Sequence, residues 1–209
     1  VSPAPDLPED LDDRLSGEVF DPMMAELSAR GMPYVGVLYA GLVLTTRGPM
    51  VLEFNARFGD PEAQVLLPLL DGDLASALIG CAIADRGLME DSVSGGDGAA
   101  VGVVVASAGY PELPVTGRRI EGAEPSGAAD GGDLLCFHAG TRRTADGEYE
   151  TAGGRIVTMV GRGPTVETAR ETAYRGIAGV ALEGGQYRTD VAARESDLGD
   201  RPQLGDQAG

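Results

Sequence analysis

Residues 34–70, YVGVLYAGLVLTTRGPMVLEFNARFGDPEAQVLLPLL, hold two β-like segments either side of a Gly-containing turn, then a polar crossing and an apolar run. With Met50 to Arg57 as a strand, the period of two sets Glu53, Asn55 and Arg57 on one face and Leu52 and Phe54 on the other. A carboxylate, an amide oxygen and a guanidinium side by side are costly to bury. They suit the floor of a Mg²⁺–polyphosphate site, because Mg²⁺ takes hard oxygen ligands and phosphate pairs with arginine. A solvated sheet face or an ion pair accounts for the pattern equally well. Arg57 could neutralise a transferring phosphoryl group. Asp60 could receive a substrate amine or hydroxyl, or cap the short helix that Pro61-Glu62 begins.

The rest of the chain limits what surrounds this stretch. Its 209 residues suffice for one domain or two small ones. A net charge of −17 argues against binding nucleic acid through backbone phosphates. No run approaches the roughly 18 apolar residues of a membrane span. Cys81 and Cys136 sit in apolar runs without metal-site spacing, as expected of buried thiols in a reducing cytoplasm. The motifs GxxxxGK[ST], GxGxxG and HExxH are absent.

In chain order, residues 1–16 are Pro-rich, acidic and expected to be an extended loop. Val19, Met23 and Leu27 recur at helical spacing, with Gly31 as the stop and Pro33 beyond it. Tyr34 to Thr46 and Met50 to Asn55 form an antiparallel pair through Arg47-Gly48-Pro49. Asp73 caps a helix carrying Leu74, Ala77, Leu78 and Cys81 and ending near Gly87. EDSVSGGDG, residues 90–98, marks a boundary. Ala100 to Ser107 is a continuous apolar strand. Short strands follow at Arg118 to Ile120, Leu134 to His138, Thr141 to Thr144, Tyr149 to Thr151 and Arg155 to Val160, as a meander. Thr165 to Gly179 is a helix with the stripe Val166, Ala169, Ala173 and Ile177. His138, the one histidine, is more readily a hydrogen-bonding group than a catalytic one. Gly153-Gly154-Arg155 could cradle an anion but by default is a hairpin turn.

Together GVLYAGLVLT and GPMVLEFNARFGDPEAQVLLPLL resemble the signature region of the glycinamide ribonucleotide synthetase (phosphoribosylamine–glycine ligase) family, within the ATP-grasp superfamily. FHAGT at Phe137 to Thr141, GGR at Gly153 to Arg155 and YRTD at Tyr187 to Asp190 match the same family in order. The family's Thr after DPE is Ala63 here.

The resemblance implies an α+β fold. Residues 1–90 would be the C-terminal part of an ATP-grasp domain, an antiparallel sheet with helices. Residues 91–193 would be a small β-rich C-terminal domain with a packed helix, and 194–209 a disordered acidic tail. It implies Mg²⁺ (or Mn²⁺) held by Glu53 and Asn55, ATP as co-substrate bound by Glu53, Asn55 and Arg57, and catalytic roles for Arg57 and Asp60. The reaction would join glycine to 5-phosphoribosylamine through a glycyl phosphate, giving glycinamide ribonucleotide, ADP and phosphate in cytoplasmic purine synthesis.

On this reading the chain resembles the family's C-terminal half only. The phosphate-covering lysines and Gly-rich loop would come from a separate chain, and the isolated chain would be inactive. The alternatives are a related carboxylate–amine ligase of another pathway and a non-catalytic, partner-binding remnant.

Overall fold

Strand β10 (Arg155–Gly163) runs between β5 (Ala99–Ala106) and β7 (Leu134–His138), antiparallel to both. This computed structural model describes residues 1–4, 7–124 and 132–193. The chain divides into two units, one of residues 3–97 and the other of residues 98 onward with Val1–Ser2. The expected acidic tail, 194–209, lies outside the described residues.

In the second unit, Val101, Val103 and Val105 of β5 and Ile156, Val157 and Val160 of β10 are buried. Each fully buried Val or Ile contributes about 1.5–3 kcal/mol from the area withdrawn from water. Helix α6 (Val166–Gly179) lays Ala169, Ala173 and Ile177 on this sheet. Its start is fixed by a reciprocal cap between Thr165 and Thr168. Gly161 makes the approach close: a Cβ there would stand 2.1 Å from the Ala169 carbonyl oxygen.

The expected meander is divided between two sheets. β8 (Thr141–Arg143) and β9 (Tyr149–Thr151) join β6 (Arg119–Glu121) and β11 (Ala181–Leu182), in the order β11-β6-β9-β8. The chain changes sheet at Gly140, whose N–H donates to the Arg155 carbonyl at 2.8 Å. A Cβ at Gly140 would lie 2.8 Å from Gly153 Cα, so the crossing requires bare backbone. His138 is structural. Its Nε2 meets the Ala123 carbonyl at 2.7 Å and its Nδ1 meets Thr141 Oγ1 at 3.0 Å. Both cysteines are free thiols.

The first unit opens with α1 (Leu11–Leu15), where a loop is expected from composition. Burial of Leu11 overrides the prolines before it. A π-helical turn at Ser16–Phe20 leads into α2 (Asp21–Ala29). Gly31, at φ +72°, ends α2. Its N–H bonds the Ser28 carbonyl while that of Met32 bonds Leu27, which satisfies two terminal carbonyls.

Next come β1 (Tyr39–Thr45) and β2 (Gly48–Asn55), joined by a two-residue turn at Thr46-Arg47. After α3 (Glu62–Leu66), β3 (Leu70–Gly72) pairs with β4 (Val93–Gly95) around α4 (Leu74–Ala82) and α5 (Arg86–Ser92). Asp73 caps α4, accepting from the N–H groups of Ala75 and Ser76. The helix ends at Ala82 rather than near Gly87. Asp85 starts α5 by accepting from the Leu88 N–H, and Gly87 falls inside that helix. Residues 90–95 of the expected linker are therefore helix and strand.

Candidate functional site

The β1–β2 register sets the site. Tyr39 lies opposite Asn55 and Gly41 opposite Glu53, so all four share one face of the hairpin. The register slips between Gly41 and Leu42, whose partner is Val51. That slip leaves Leu52 as the extra residue of a bulge, and Leu52 is 72% exposed. Gly41 supplies clearance, since a Cβ there would be 3.1 Å from Glu53 Cγ.

Arg57 is not on the strand. β2 ends at Asn55, and the Arg57 Nη1 donates to the Phe58 carbonyl at 2.8 Å. Asp60 does not cap α3, whose N-cap is Pro61 without a side-chain bond. Asp60 Oδ1 instead accepts from Gln64 Nε2 at 2.9 Å. Glu62 folds back over Gly59, where a Cβ would come within 2.3 Å of its Oε2. From there Glu62 Oε1 takes a hydrogen bond from the Tyr39 hydroxyl at 3.4 Å.

Tyr39 connects these groups. Burial raises its pKa above the ordinary tyrosine value, and the charge and hydrogen bond of Glu62 and the charge of Glu53 raise it further. Arg57 opposes them. The phenol therefore senses both carboxylates and the guanidinium. The sequence alone points to Glu53, Asn55, Arg57 and Asp60 but not to Tyr39, and the signal that could have found it is the cross-strand register.

Among the described residues, no group of three or more His, Cys, Asp or Glu could hold a metal ion. The Glu53–Asn55 pair still fits Mg²⁺ as a donor set: both offer hard oxygens, and Mg²⁺ usually keeps waters and substrate phosphates as its other ligands. No helix among the described residues is long and apolar enough to cross a membrane.

Comparison with known proteins gives consistent matches. The family "Phosphoribosylglycinamide synthetase, ATP-grasp (A) domain" matches residues 1–63, and "Phosphoribosylglycinamide synthetase, C domain" matches residues 100–194. The phosphoribosylamine–glycine ligase of Caulobacter vibrioides is 44% identical over 193 residues, covering 92% of this chain and 44% of that protein. That of Streptomyces coelicolor is 43% identical over 193 residues, covering 92% and 46%. The crystal structure of the Thermotoga maritima phosphoribosylamine–glycine ligase superposes with a TM-score of 0.69 at 33% identity, covering 88% of this chain and 44% of that one. The biotin carboxylase domain of a thermophilic 2-oxoglutarate carboxylase, at 16% identity and a TM-score of 0.61 over 89% and 40%, shares the fold alone. The chain spans less than half the length of the curated relatives above.

These matches correct part of the sequence reading. The chain was expected to resemble the C-terminal half only, with a separate chain supplying the ATP-grasp part. The ATP-grasp (A) domain matches from residue 1 to 63, so that domain is represented in this chain. That match runs over α1, α2, β1 and β2 and overturns the C-terminal-half expectation. The predicted inactivity of the isolated chain was argued from the same missing part and falls with it. By its ATP-grasp (A) and C domain matches, the chain belongs to the phosphoribosylglycinamide synthetase family.

Proposed function

We propose that this chain acts in the ATP-dependent joining of glycine to 5-phosphoribosylamine, giving glycinamide ribonucleotide, ADP and phosphate. The observation that carries the reading is the hairpin register, which brings Glu53 and Asn55 onto one face beside Tyr39. The relatives named phosphoribosylamine–glycine ligase support the reaction class.

Glu53 and Asn55 hold Mg²⁺ or Mn²⁺ with ATP. When bound, such an ion would supply charge neutralisation for phosphoryl transfer to the glycine carboxylate. Arg57, close enough to influence Tyr39 and tethered by the Phe58 carbonyl, offers its remaining donors to the transferring phosphoryl oxygens. Asp60, steadied by Gln64, receives the attacking amine. Tyr39 orients Glu62 and feels the charge of Glu53. Because Glu53 and Asn55 come from a paired strand, their spacing is set by backbone rather than by loop conformation.

The test is ADP release dependent on both glycine and 5-phosphoribosylamine, read beside Mn²⁺ affinity. Glu53→Gln should lower turnover by about a hundredfold or more and weaken Mn²⁺ binding. Unchanged turnover and unchanged Mn²⁺ affinity in that variant would overturn the assignment.

A further inference from the structure

Helix α4, LASALIGCA, carries no charged side chain. A helix that is apolar all round belongs in an interior, yet this one is covered on one side only. Ala77 and Gly80 are buried, and α5 comes so near that a Cβ on Gly80 would stand 2.7 Å from the Met89 nitrogen. The other side is open. Leu78 is 43% exposed, Ile79 55% and Ile83, at the C-cap, 63%, with Ala75 and Ala82 exposed beside them. At about 3.6 residues per turn, Ala75, Leu78, Ile79 and Ala82 share a stripe about 100° wide.

These five residues expose roughly 400 Å², about half of what each partner buries in a standard interface. A polar rim around such an apolar centre supplies the rest. Here the rim is self-complementary. Asp71 and Asp73 precede α4, and Arg86 follows it as the one basic residue between Arg57 and Arg118. Arg86 is exposed and pairs with Glu90 of its own helix at 2.7 Å. Asp85, at the same end, is engaged as the N-cap of α5.

Two copies of α4 laid antiparallel set the acidic start of each helix beside Arg86 of the other, whereas a parallel pair would set acid against acid. With a two-fold axis between Leu78 and Ile79, Ala75 of one copy lies opposite Ala82 of the other. Small side chains then flank the large central ones and let the helices approach to about 8–9 Å.

We propose that α4 docks antiparallel on α4 of a second copy of this chain, about that axis. The association requires neither substrate nor metal, so its outcome is separate from that of the hairpin site.

Sedimentation equilibrium of the protein across about 1–200 µM, without ligands, tests it. The mass should rise with concentration to twice that of the chain and no further. Ile79→Glu should weaken the association at least tenfold with the melting transition kept, since the side chain is exposed in the monomer. Arg86→Glu should weaken it several-fold, and adding Asp71→Arg should restore it, which reads the antiparallel arrangement even if Ile79→Glu fails to fold. Leu52→Glu, at an exposed apolar residue of β2, should leave the dimer intact. The proposal is overturned by a monomer at every concentration, by a mass beyond the dimer, by a folded Ile79→Glu variant that associates as the parent does, by a charge swap that restores nothing, or by loss of the dimer in Leu52→Glu.

Discussion

The Tyr39 hydroxyl donates to Glu62 Oε1 at 3.4 Å, linking a strand residue to the first turn of α3 across 23 positions. Burial and the two carboxylates favour the neutral phenol, so its folded pKa lies above the unfolded value near 10. Its contribution to stability is therefore fully present below about pH 10 and is lost as pH rises through the higher folded value. A spectrophotometric tyrosine titration should contain a late-ionising component that Tyr39→Phe removes. An identical alkaline limb in the variant would refute this.

Gly41 faces Glu53, and a Cβ added there would stand 3.1 Å from Glu53 Cγ. Gly41→Ala should push the Glu53 side chain by a few tenths of an ångström and weaken Mn²⁺ binding several-fold, about 1 kcal/mol, with little change in melting temperature. A variant that binds Mn²⁺ as tightly as the parent would show that Glu53 is not confined by the opposite strand.

The sequence made some of this legible and some not. Leu134 to His138 and Tyr149 to Thr151 are read correctly because short alternating runs end at turn residues. Helix α6 and the Asp73 cap are read for equally local reasons. What failed is non-local. That β7 pairs with β10 rather than β8 depends on two backbones crossing at Gly140 and Gly153. Tyr39 enters the site through the register beyond a bulge, which no spacing within β2 reveals. Arg57 was put on the strand face by carrying alternation two residues past the end of the ladder.

Burial and the charge of Glu124 push the Cys136 thiol up to about 11. At pH 8 it should be almost wholly protonated and unreactive, since the thiolate is the nucleophile. Disulfide-exchange labelling of the native protein should thus modify only Cys81, and Cys81→Ser should abolish the signal. Labelling of Cys136 at a rate comparable with a free thiol would contradict the burial of β7.

Thr151 is fully buried. Its Oγ1 accepts from the Arg118 N–H at 3.1 Å and donates to the Val115 carbonyl at 3.2 Å. Thr151→Val keeps the shape but leaves both backbone groups without that partner, which should cost about 1–3 kcal/mol. Urea denaturation measures it, and a loss under about 0.5 kcal/mol would mean that water replaces the hydroxyl.

Gly161 gives β10 a one-sided tolerance for change. Its neighbours Met159 and Val160 can shrink at the cost of a void, but Gly161 cannot grow, because the first added carbon meets the α6 backbone rather than a movable side chain. A hydropathy profile scores this position as nearly neutral, yet it sets how far α6 stands from the sheet. For this unit, the distance between layers is specified by an atom that is left out.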